Sequence, residues 1–386
     1  MRVLYVQFWS SLKSGGSPLA GLEMMVDMKK RYNVECCALI GGEGDFAEKC
    51  RENNIKVFVA PKNWAWWMYY PSNNTSVREF LRRCKNQFKD RIKNLLRYPV
   101  IQNMFKNQKF DLIHSNFSVT DIGDYLAQNL KPPHVWHLRE QYFKPSLLHS
   151  RNEIARKFQR ADKIIMISKK VYDYYVNETK LCKPENSKII YDGLQINPEY
   201  NKKYNSKINF CMAGGLSFSK NQIMALRACK ILRERNNNFN LNFIGEGGSE
   251  KELENFVHEN NLNDCVKFWG FRSDIQEILK NMDVGLMLSK SEAFGRVTVE
   301  YMLNYMPVIG VNAEATPEII SDGTGFICEL DDAQRLADIM YCEFIKQPEK
   351  IISMGQNARD HAVKNFPLEK NTDEIYKVYQ EVLNGK

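Results

Sequence analysis

Two acidic side chains, Glu292 and Glu300, flank a stretch of sequence that could bind a diphosphate. The segment Ser-Glu-Ala-Phe-Gly-Arg-Val-Thr-Val-Glu, residues 291–300, follows a predicted strand, and Gly295 stands where a predicted helix begins. The N–H groups at a helix start have no partner within the helix, and an anion is their natural ligand. Carboxylates accept strong hydrogen bonds from hydroxyls, so Glu292 suits a sugar and Glu300 suits a ribose. One capping glutamate and one surface glutamate are the alternative interpretation.

Three glycine-rich segments, residues 14–18, 213–221 and 244–248, each follow a predicted strand. Glycine lets a backbone N–H approach a phosphate closely, because no Cβ intervenes. Lys220 in the second segment adds a cation, which suits a phosphate clamp, although a solvated lysine fits equally well. The first and third segments are also compatible with simple tight turns. The spacing of the first segment matches neither the dinucleotide fingerprint nor the P-loop, so a nicotinamide dehydrogenase is not supported.

The secondary-structure elements that must position these residues are arranged in the same pattern in both halves of the chain. Short apolar runs separated by helix-like stretches predict a doubly wound parallel sheet. The predicted strands are residues 3–8, 36–40, 56–59, 112–114, 134–137 and 164–168, and then 209–213, 240–244, 266–269, 284–287, 307–310 and 325–327. A stretch with glycine and proline, residues 191–198, lies between the two sets. We therefore predict an α/β protein with Rossmann-like domains at 1–193 and 194–366, followed by an amphipathic helix within 367–386.

Composition narrows the class of protein. The chain has 386 residues, 44% of them hydrophobic, which is enough for two cores. Its ten cysteines show no Cys-x-x-Cys spacing, which argues against a zinc site. No run of about 18 apolar residues could span a bilayer, and the first apolar run is too short for a signal peptide. We therefore expect a cytoplasmic protein with reduced thiols.

Charge is distributed unevenly along the chain. Residues 1–193 carry 32 Lys and Arg against 19 Asp and Glu, whereas residues 194–386 carry 22 against 27. Such an asymmetry suggests an anionic partner, either a nucleic acid or a membrane surface. Residues 77–109 predict a basic amphipathic helix, and the aromatic-rich residues 64–70 precede it. A helix packed on its domain with a solvated basic face fits this pattern, and so does a helix at a membrane surface. No nucleic-acid motif is recognisable, so nucleic acid is not an expected partner.

The segment from 209 to 326 resembles the retaining glycosyltransferases of family 4. The signature of that family is a Glu-x7-Glu pair with Phe-Gly after the first Glu, and Glu292 and Glu300 have this spacing. The order of the surrounding motifs is also similar: a Gly-Gly loop after the first strand, a loop ending in Lys-Asn at 214–221, a Gly-x-Gly loop at 245–247, and Met-Pro-Val-Ile-Gly at 306–310. The first half of the chain resembles the family only in the position of its elements.

The resemblance implies a GT-B fold, in which two Rossmann-like domains face a central cleft. The second domain would hold the nucleotide-sugar donor, the first would hold the acceptor, and the last helix would cross back to the first domain. Catalytic roles would fall to Glu292, His137 and Lys220. Donor-binding roles would fall to Gly15, Gly16, Gly215, Lys220, Glu292, Phe294, Gly295, Arg296, Val297 and Glu300. His137 would lie near the reacting sugar, although a histidine at a strand end can equally be a satisfied structural residue.

Two departures from the family pattern stand out. Gly215 occupies the place where the family usually has a phosphate-binding arginine, and Arg296 or Arg139 could replace that cation. Residues 314–317, Glu-Ala-Thr-Pro, stand where the family often has Gly-Gly, which would change the shape of the sugar pocket.

The resulting prediction is a glycosyltransferase that moves a sugar, with retention, from a nucleotide diphosphate sugar to a saccharide. UDP-sugar is the favoured donor, and a lipid-linked saccharide of surface-polysaccharide synthesis is the expected acceptor. No metal and no cofactor are expected to be needed. A protein of the same fold that binds nucleotide sugars without transfer is the alternative. The predicted location is cytoplasmic, and the basic helix raises the hypothesis of peripheral attachment to the inner face of the cell membrane through residues 64–109.

Overall fold

The chain forms two compact units in a computed structural model that describes residues 1–12, 15–61, 64, 76–141, 150–204 and 206–385, without the side chains of residues 79, 80 and 83. Unit 1 comprises Met1–Gly193 and Leu368–Lys386, and unit 2 comprises Leu194–Pro367. Each unit is built around one parallel sheet.

The sheet of unit 1 has the strand order β3-β2-β1-β4-β5-β6-β7, and every pair in it is parallel. Its strands are β1 (Arg2–Gln7), β2 (Glu35–Ile40), β3 (Lys56–Val59), β4 (Leu112–Asn116), β5 (His134–Leu138), β6 (Lys163–Met166) and β7 (Ser187–Ile189). Strand order reverses between β1 and β4. In open α/β sheets the carboxyl edge at such a reversal forms a crevice that binds ligands.

The sheet of unit 2 has the order β10-β9-β8-β11-β12-β13, again with parallel pairs throughout. Its strands are β8 (Ile208–Ala213), β9 (Phe239–Ile244), β10 (Val266–Phe268), β11 (Val284–Met287), β12 (Val308–Val311) and β13 (Gly325–Cys328). The reversal lies between β8 and β11. All predicted strands form within two residues of their expected bounds, so the predicted fold of two doubly wound sheets is confirmed. The short, half-buried β7 was not predicted.

Helices connect the strands and cover the sheets. They are α1 (Gly16–Tyr32), α2 (Asp45–Glu52), α3 (Val77–Asn103), α4 (Ile122–Leu130), α5 (Arg151–Arg160), α6 (Lys169–Tyr172), α7 (Gln222–Arg233), α8 (Glu250–Glu259), α9 (Ile275–Leu279), α10 (Arg296–Leu303), α11 (Thr316–Ile319), α12 (Ala333–Ile339), α13 (Glu349–Asn365) and α14 (Leu368–Asn384). Shorter turns are π-helical at Asp173–Glu178 and Met340–Ile345, and 3-10 at Pro184–Asn186.

The last helix, α14, completes the core of unit 1. Its apolar stripe, Ile375, Val378, Tyr379 and Val382, is buried with side chains of β1, β2 and α1. The ring of Tyr376 stacks on that of Tyr32 at 3.8 Å between centroids, and Asp373 forms an ion pair with Arg31 at 2.6 Å. These contacts explain why an amphipathic helix at the end of the sequence folds with its beginning.

Trp64, a residue of the segment 64–109 for which membrane contact was one of two interpretations, is buried. Trp64 is 2% exposed and packs against Phe8, with 6.2 Å between ring centroids. It is therefore a core side chain of unit 1 and is not available to a lipid surface, because its apolar area is already removed from water. Residues 65–70, which complete the predicted aromatic cluster, lie outside the described residues.

The packing of α14 predicts a large effect of a cavity in its stripe. Ile375 is fully buried, so Ile375→Ala should lower the free energy of unfolding by about 2–5 kcal/mol. Urea denaturation followed by circular dichroism measures this change. The matched control is Gln380→Ala on the exposed face of the same helix, expected within about 0.5 kcal/mol of wild type. Equal stability of the two variants would show that α14 is not part of the core.

Candidate functional site

Two loops at the carboxyl edge of unit 2 bring Lys220 and Glu292 together. The first loop follows β8 and the second follows β11, the two strands at which strand order reverses. The ammonium of Lys220 forms an ion pair with Oε1 of Glu292. The backbone N–H of Lys290 donates to the carbonyl oxygen of Ser219 at 2.8 Å and joins the loops directly. Both charged side chains are partly exposed, so the pair is accessible to a ligand.

The start of α10 lies next to this pair. Gly295 is the N-cap residue, its φ of 83° is in the left-handed region, and no side chain caps the helix there. Glycine is favoured at such a φ because it has no Cβ. Phe294 is buried and packs edge-on against Phe366, which fixes the backbone before the helix. Arg296 and Val297, both half-buried, begin the first turn, and Glu300 lies on the second turn.

The glycine loops of unit 2 are explained mainly by close backbone packing. A Cβ on Gly245 would lie 2.1 Å from the carbonyl oxygen of Gly214, and one on Gly247 would lie 2.2 Å from that of Leu216. The tight-turn interpretation of residues 244–248 is therefore sufficient. Gly215 differs, because a Cβ there would meet only the carbonyl oxygen of Glu246 at 3.8 Å. A Cβ at position 215 would therefore make only an ordinary van der Waals contact.

Sequence reasoning missed several polar residues that hold these loops. Gln222 is buried, its Nε2 donates to the carbonyl oxygen of Gly215 at 3.0 Å, and its Oε1 accepts from the N–H of Ser217. Asp331 accepts from Nζ of Lys290 at 2.9 Å and from Nδ2 of Asn221 at 3.1 Å. The hydrogen bond from Lys290 holds the pKa of Asp331 below its usual value. The consecutive polar residues Lys-Asn-Gln at 220–222 were the feature of the sequence that could have indicated Gln222.

The loop after β12 also contacts Glu292. The N–H of Ala315 donates to the backbone carbonyl oxygen of Glu292 at 3.2 Å. Glu314, where the family often has glycine, adopts a left-handed φ of 51°, and its buried Oε2 has no hydrogen-bond partner among the described residues. The glutamate therefore adds an acidic group and a strained backbone beside the pair.

In unit 1, His137 lies at the end of β5 and is fully buried. Neither ring nitrogen has a hydrogen-bond partner in the described part of the chain. Burial, together with the charge of Arg139 and the neighbouring His114 ring, holds the pKa of His137 well below its ordinary value. The imidazole is neutral at pH 7.

Arg139, one of the two proposed replacements for the missing arginine, is engaged within unit 1. Its guanidinium forms a buried ion pair with Asp192 and donates from Nε to Oδ1 of Asn116 at 2.5 Å. Asn116 in turn donates to Oε1 of Gln7 at 2.7 Å. This chain of polar groups spans the ends of β1, β4 and β5. The charge of Arg139 is therefore already compensated within unit 1.

Gly15 and Gly16 lie at the start of α1 in unit 1. Gly15 is the exposed N-cap residue with a φ of 123°, and a Cβ there would touch nothing within 4 Å. Among the described residues, no side chain caps α1. The predicted site residues thus form two groups, each at the carboxyl edge of its own sheet: Lys220, Glu292 and the α10 start in unit 2, and Gly15, Gly16 and His137 in unit 1.

No group of three or more His, Cys, Asp and Glu side chains in the described part of the chain is placed to hold a metal ion. Among the described helices, none has both the length and the apolar character needed to cross a bilayer.

Comparison with known proteins gives matches over most of the chain. Residues 44–197 match the model described as Glycosyltransferase Family 4, and residues 195–361 match the model described as Glycosyl transferases group 1. An uncharacterized glycosyltransferase of Methanocaldococcus jannaschii is 27% identical over 74% of this chain and 79% of its own length. The UDP-Gal:alpha-D-GlcNAc-diphosphoundecaprenol alpha-1,3-galactosyltransferase of Escherichia coli is 24% identical over 81% of this chain and 86% of its own.

Among solved structures, the Anabaena protein HepE in complex with UDP is similar over 99% of this chain and 100% of its own, with a TM-score of 0.77 and 21% sequence identity. A likeness of this extent includes both units and establishes a common fold for the two chains.

The buried histidines predict a loss of stability in acid. Burial lowers the pKa of His114 and His137 well below 6.5 and that of His134 to about 3. Between these values and about 6.5 the unfolded chain binds more protons than the folded one, so stability should fall as the pH drops from 7 towards 4. Denaturant midpoints measured along this range test the slope. His137→Gln removes one of the three histidines and should make the dependence of stability on pH less steep. An unchanged slope would contradict the neutral, buried state of His137.

Proposed function

Because the chain belongs to the family 4 glycosyltransferases, we propose that it transfers a sugar, with retention, from a UDP-sugar to a hydroxyl of a saccharide acceptor. The observation that carries the proposal is the ion pair of Lys220 and Glu292 beside the uncapped start of α10. A cation, a carboxylate and a helix N-terminus at one sheet edge are the three groups that a nucleotide diphosphate sugar requires.

In the proposed reaction the cation, the carboxylates and the helix N–H groups have different roles. Breaking the bond between the anomeric carbon and the diphosphate places negative charge on the leaving oxygen. Lys220 and the N–H groups at the start of α10 stabilise this charge, and because they are already in place, the reaction needs little reorganisation. Glu292 accepts hydrogen bonds from the sugar hydroxyls, and Glu300 accepts them from the ribose.

The ion pair also suggests how the donor enters. Without a donor, Lys220 and Glu292 neutralise one another. A diphosphate carries more negative charge than one carboxylate, so Lys220 would transfer from Glu292 to the phosphates. Glu292 would then be released to bind the sugar. Each group thus has a partner in both states, which keeps a partly buried charge from being left alone.

The donor and acceptor are proposed from the relatives. HepE binds UDP, and the E. coli relative uses UDP-Gal and a diphosphoundecaprenol-linked acceptor. We infer a UDP-sugar and a lipid-linked saccharide for this chain as well.

The cations of the site can take the role that a metal ion has in other transferases, so we propose that no metal is required. In that case turnover in excess EDTA should equal turnover without it.

A nucleotide-sugar-binding protein without transfer activity is the second candidate. Gly215, in place of the phosphate-binding arginine, is the observation that favours it. Incubation with a panel of UDP-sugars and oligosaccharide acceptors separates the two functions, because only the transferase yields a longer saccharide by mass spectrometry. The NMR coupling of the new anomeric proton then reports whether configuration is retained.

Removal of the Glu292 charge should abolish most activity. We expect Glu292→Gln to lower kcat/KM by about 10–10²-fold, the cost of losing a charge-assisted hydrogen bond to the sugar. The pair is partly exposed, so its loss should change the melting temperature little. Glu254→Gln, at an exposed position of α8, is the control and should have wild-type kinetics. A Glu292→Gln enzyme with full activity would remove Glu292 from the mechanism.

An arginine at position 215 should strengthen donor binding. The space around Gly215 admits a side chain, and a second cation beside Lys220 would attract the diphosphate. We expect Gly215→Arg to bind UDP roughly tenfold more tightly, as one charge-assisted contact would give. Isothermal titration calorimetry measures the affinity, and Gly215→Ala separates the effect of charge from that of the backbone. Weaker binding by Gly215→Arg alone would mean that Arg296 already fills the place of the missing cation.

A further inference from the structure

Helix α3 of unit 1 has two apolar faces. Its inner face packs on the domain: Tyr98 and Ile101 are buried, and the hydroxyl of Tyr98 donates to Oδ1 of Asp121 at 2.5 Å. Its outer face carries four apolar side chains, each at least half exposed to solvent: Val77, Leu81, Phe88 and Leu95. Leu96 and Val100, on the adjoining side of the helix, are also at least half exposed. One apolar stripe is sufficient to hold a helix on its core. The second stripe therefore has a purpose other than folding.

The described side chains in the N-terminal half of α3 are exposed or half-buried. None of the described side chains between residues 77 and 90 is buried, whereas Asn94, Tyr98 and Ile101 are. With 27 residues the helix is about 40 Å long, roughly twice the span of the strands beside it. The exposed half projects an apolar surface into solvent, and contiguous surfaces of this kind in soluble proteins mark interaction sites.

Basic side chains lie beside the outer face. Arg78, Arg82, Lys85 and Lys89 are exposed and recur at the helical repeat, on the flank of the apolar stripe. Asp90, the acidic residue of this helix whose side chain is described, forms an ion pair with Lys93 at 2.8 Å. An apolar stripe with a basic flank is the pattern of a helix that lies in the plane of an anionic membrane. A second copy of the chain would bring like charges together, which disfavours self-association through this face.

A pocket extends the same surface at its C-terminal end. It has a volume of about 390 Å³ and is lined by Pro61, Leu96, Val100 and Ile101 together with Lys93 and Arg97. Apolar walls with two cationic side chains match one lipid molecule, whose chain is apolar and whose headgroup is anionic. The pocket and the outer face are therefore both suited to an anionic lipid.

We propose that the outer face of α3 docks unit 1 on a membrane of anionic phospholipids. The apolar side chains enter the boundary between headgroups and acyl chains, and the basic flank binds the headgroups. Such docking would hold the enzyme where a lipid-linked acceptor is found, a link that rests on the proposed function. Membrane binding itself does not depend on it.

Vesicle flotation tests the docking with the full-length chain. Vesicles of phosphatidylcholine with phosphatidylglycerol should carry the protein to the top of the gradient at low salt, and vesicles of phosphatidylcholine alone should leave it at the bottom. High salt should weaken the binding, because it screens the basic flank. A protein that stays at the bottom with both kinds of vesicle overturns the proposal.

Two variants locate the surface. Lys85→Glu/Lys89→Glu should weaken binding at least about 25-fold, since each basic side chain near an anionic surface contributes about a fivefold gain. Leu81→Ser/Phe88→Ser/Leu95→Ser should also stay at the bottom. The matched controls are Lys230→Glu/Lys251→Glu and Ile352→Ser/Val363→Ser, which change exposed residues of unit 2 and should float like wild type. If the α3 variants float as well as the controls, another surface binds the lipid and the proposal is wrong.

Two further measurements separate docking from folding, self-association and activity. The α3 variants should keep the wild-type melting temperature and the wild-type affinity for UDP, because their side chains lie outside both the core and the proposed donor site. Sedimentation velocity should give the same mass for all variants. A dimer in wild type that the α3 substitutions convert to a monomer would identify the face as a self-association surface and overturn the proposal. UDP binding without flotation would retain the proposed function and reject the docking.

Discussion

The ion pair of Lys220 and Glu292 depends on a property of the parallel sheet. Strands that run in one direction bring all their carboxyl ends to one edge, and where strand order reverses the two following loops lie side by side. In unit 2 these are the loops after β8 and β11, far apart in sequence and joined by a backbone hydrogen bond from Lys290 to Ser219. Gln222 and Asp331 then hold the loops in place with hydrogen bonds. The charged pair thus stands on a rigid frame, which is what electrostatic stabilisation of a leaving group requires.

Unit 1 uses the equivalent edge of its sheet differently. Its polar residues are fully buried and bound to one another in the chain from Gln7 through Asn116 and Arg139 to Asp192. His137 stands beside them with no hydrogen-bond partner among the described residues, and burial keeps it neutral. A neutral imidazole can accept or donate a hydrogen bond without adding charge near a reacting sugar. The two units therefore offer different environments, one charged and accessible and the other neutral and buried.

Periodicity predicted α3 but did not distinguish its two faces. A basic amphipathic pattern fits a helix packed on its domain as well as a helix at a membrane. In the structure Tyr98 and Ile101 of α3 pack inward, whereas Leu81, Phe88 and Leu95 remain exposed. Trp64, in the aromatic-rich segment that precedes α3, is part of the core. Exposure depends on what packs against a side chain, and one segment of sequence does not contain that information.

The sequence by itself determined the elements and their order, because hydrophobic runs, glycines and helix starts are local signals: all strands except the short β7 were predicted, as were Gly295 at a helix start and the spacing of Glu292 and Glu300. Tertiary structure decided which of these residues meet. In the folded chain Lys220 forms an ion pair with Glu292, and Arg139 forms one with Asp192. Position 245 has no space for a Cβ, because the carbonyl oxygen of Gly214 lies against it. Such contacts join residues from separate strands and loops, so they depend on strand order and packing, which no local pattern of the chain specifies.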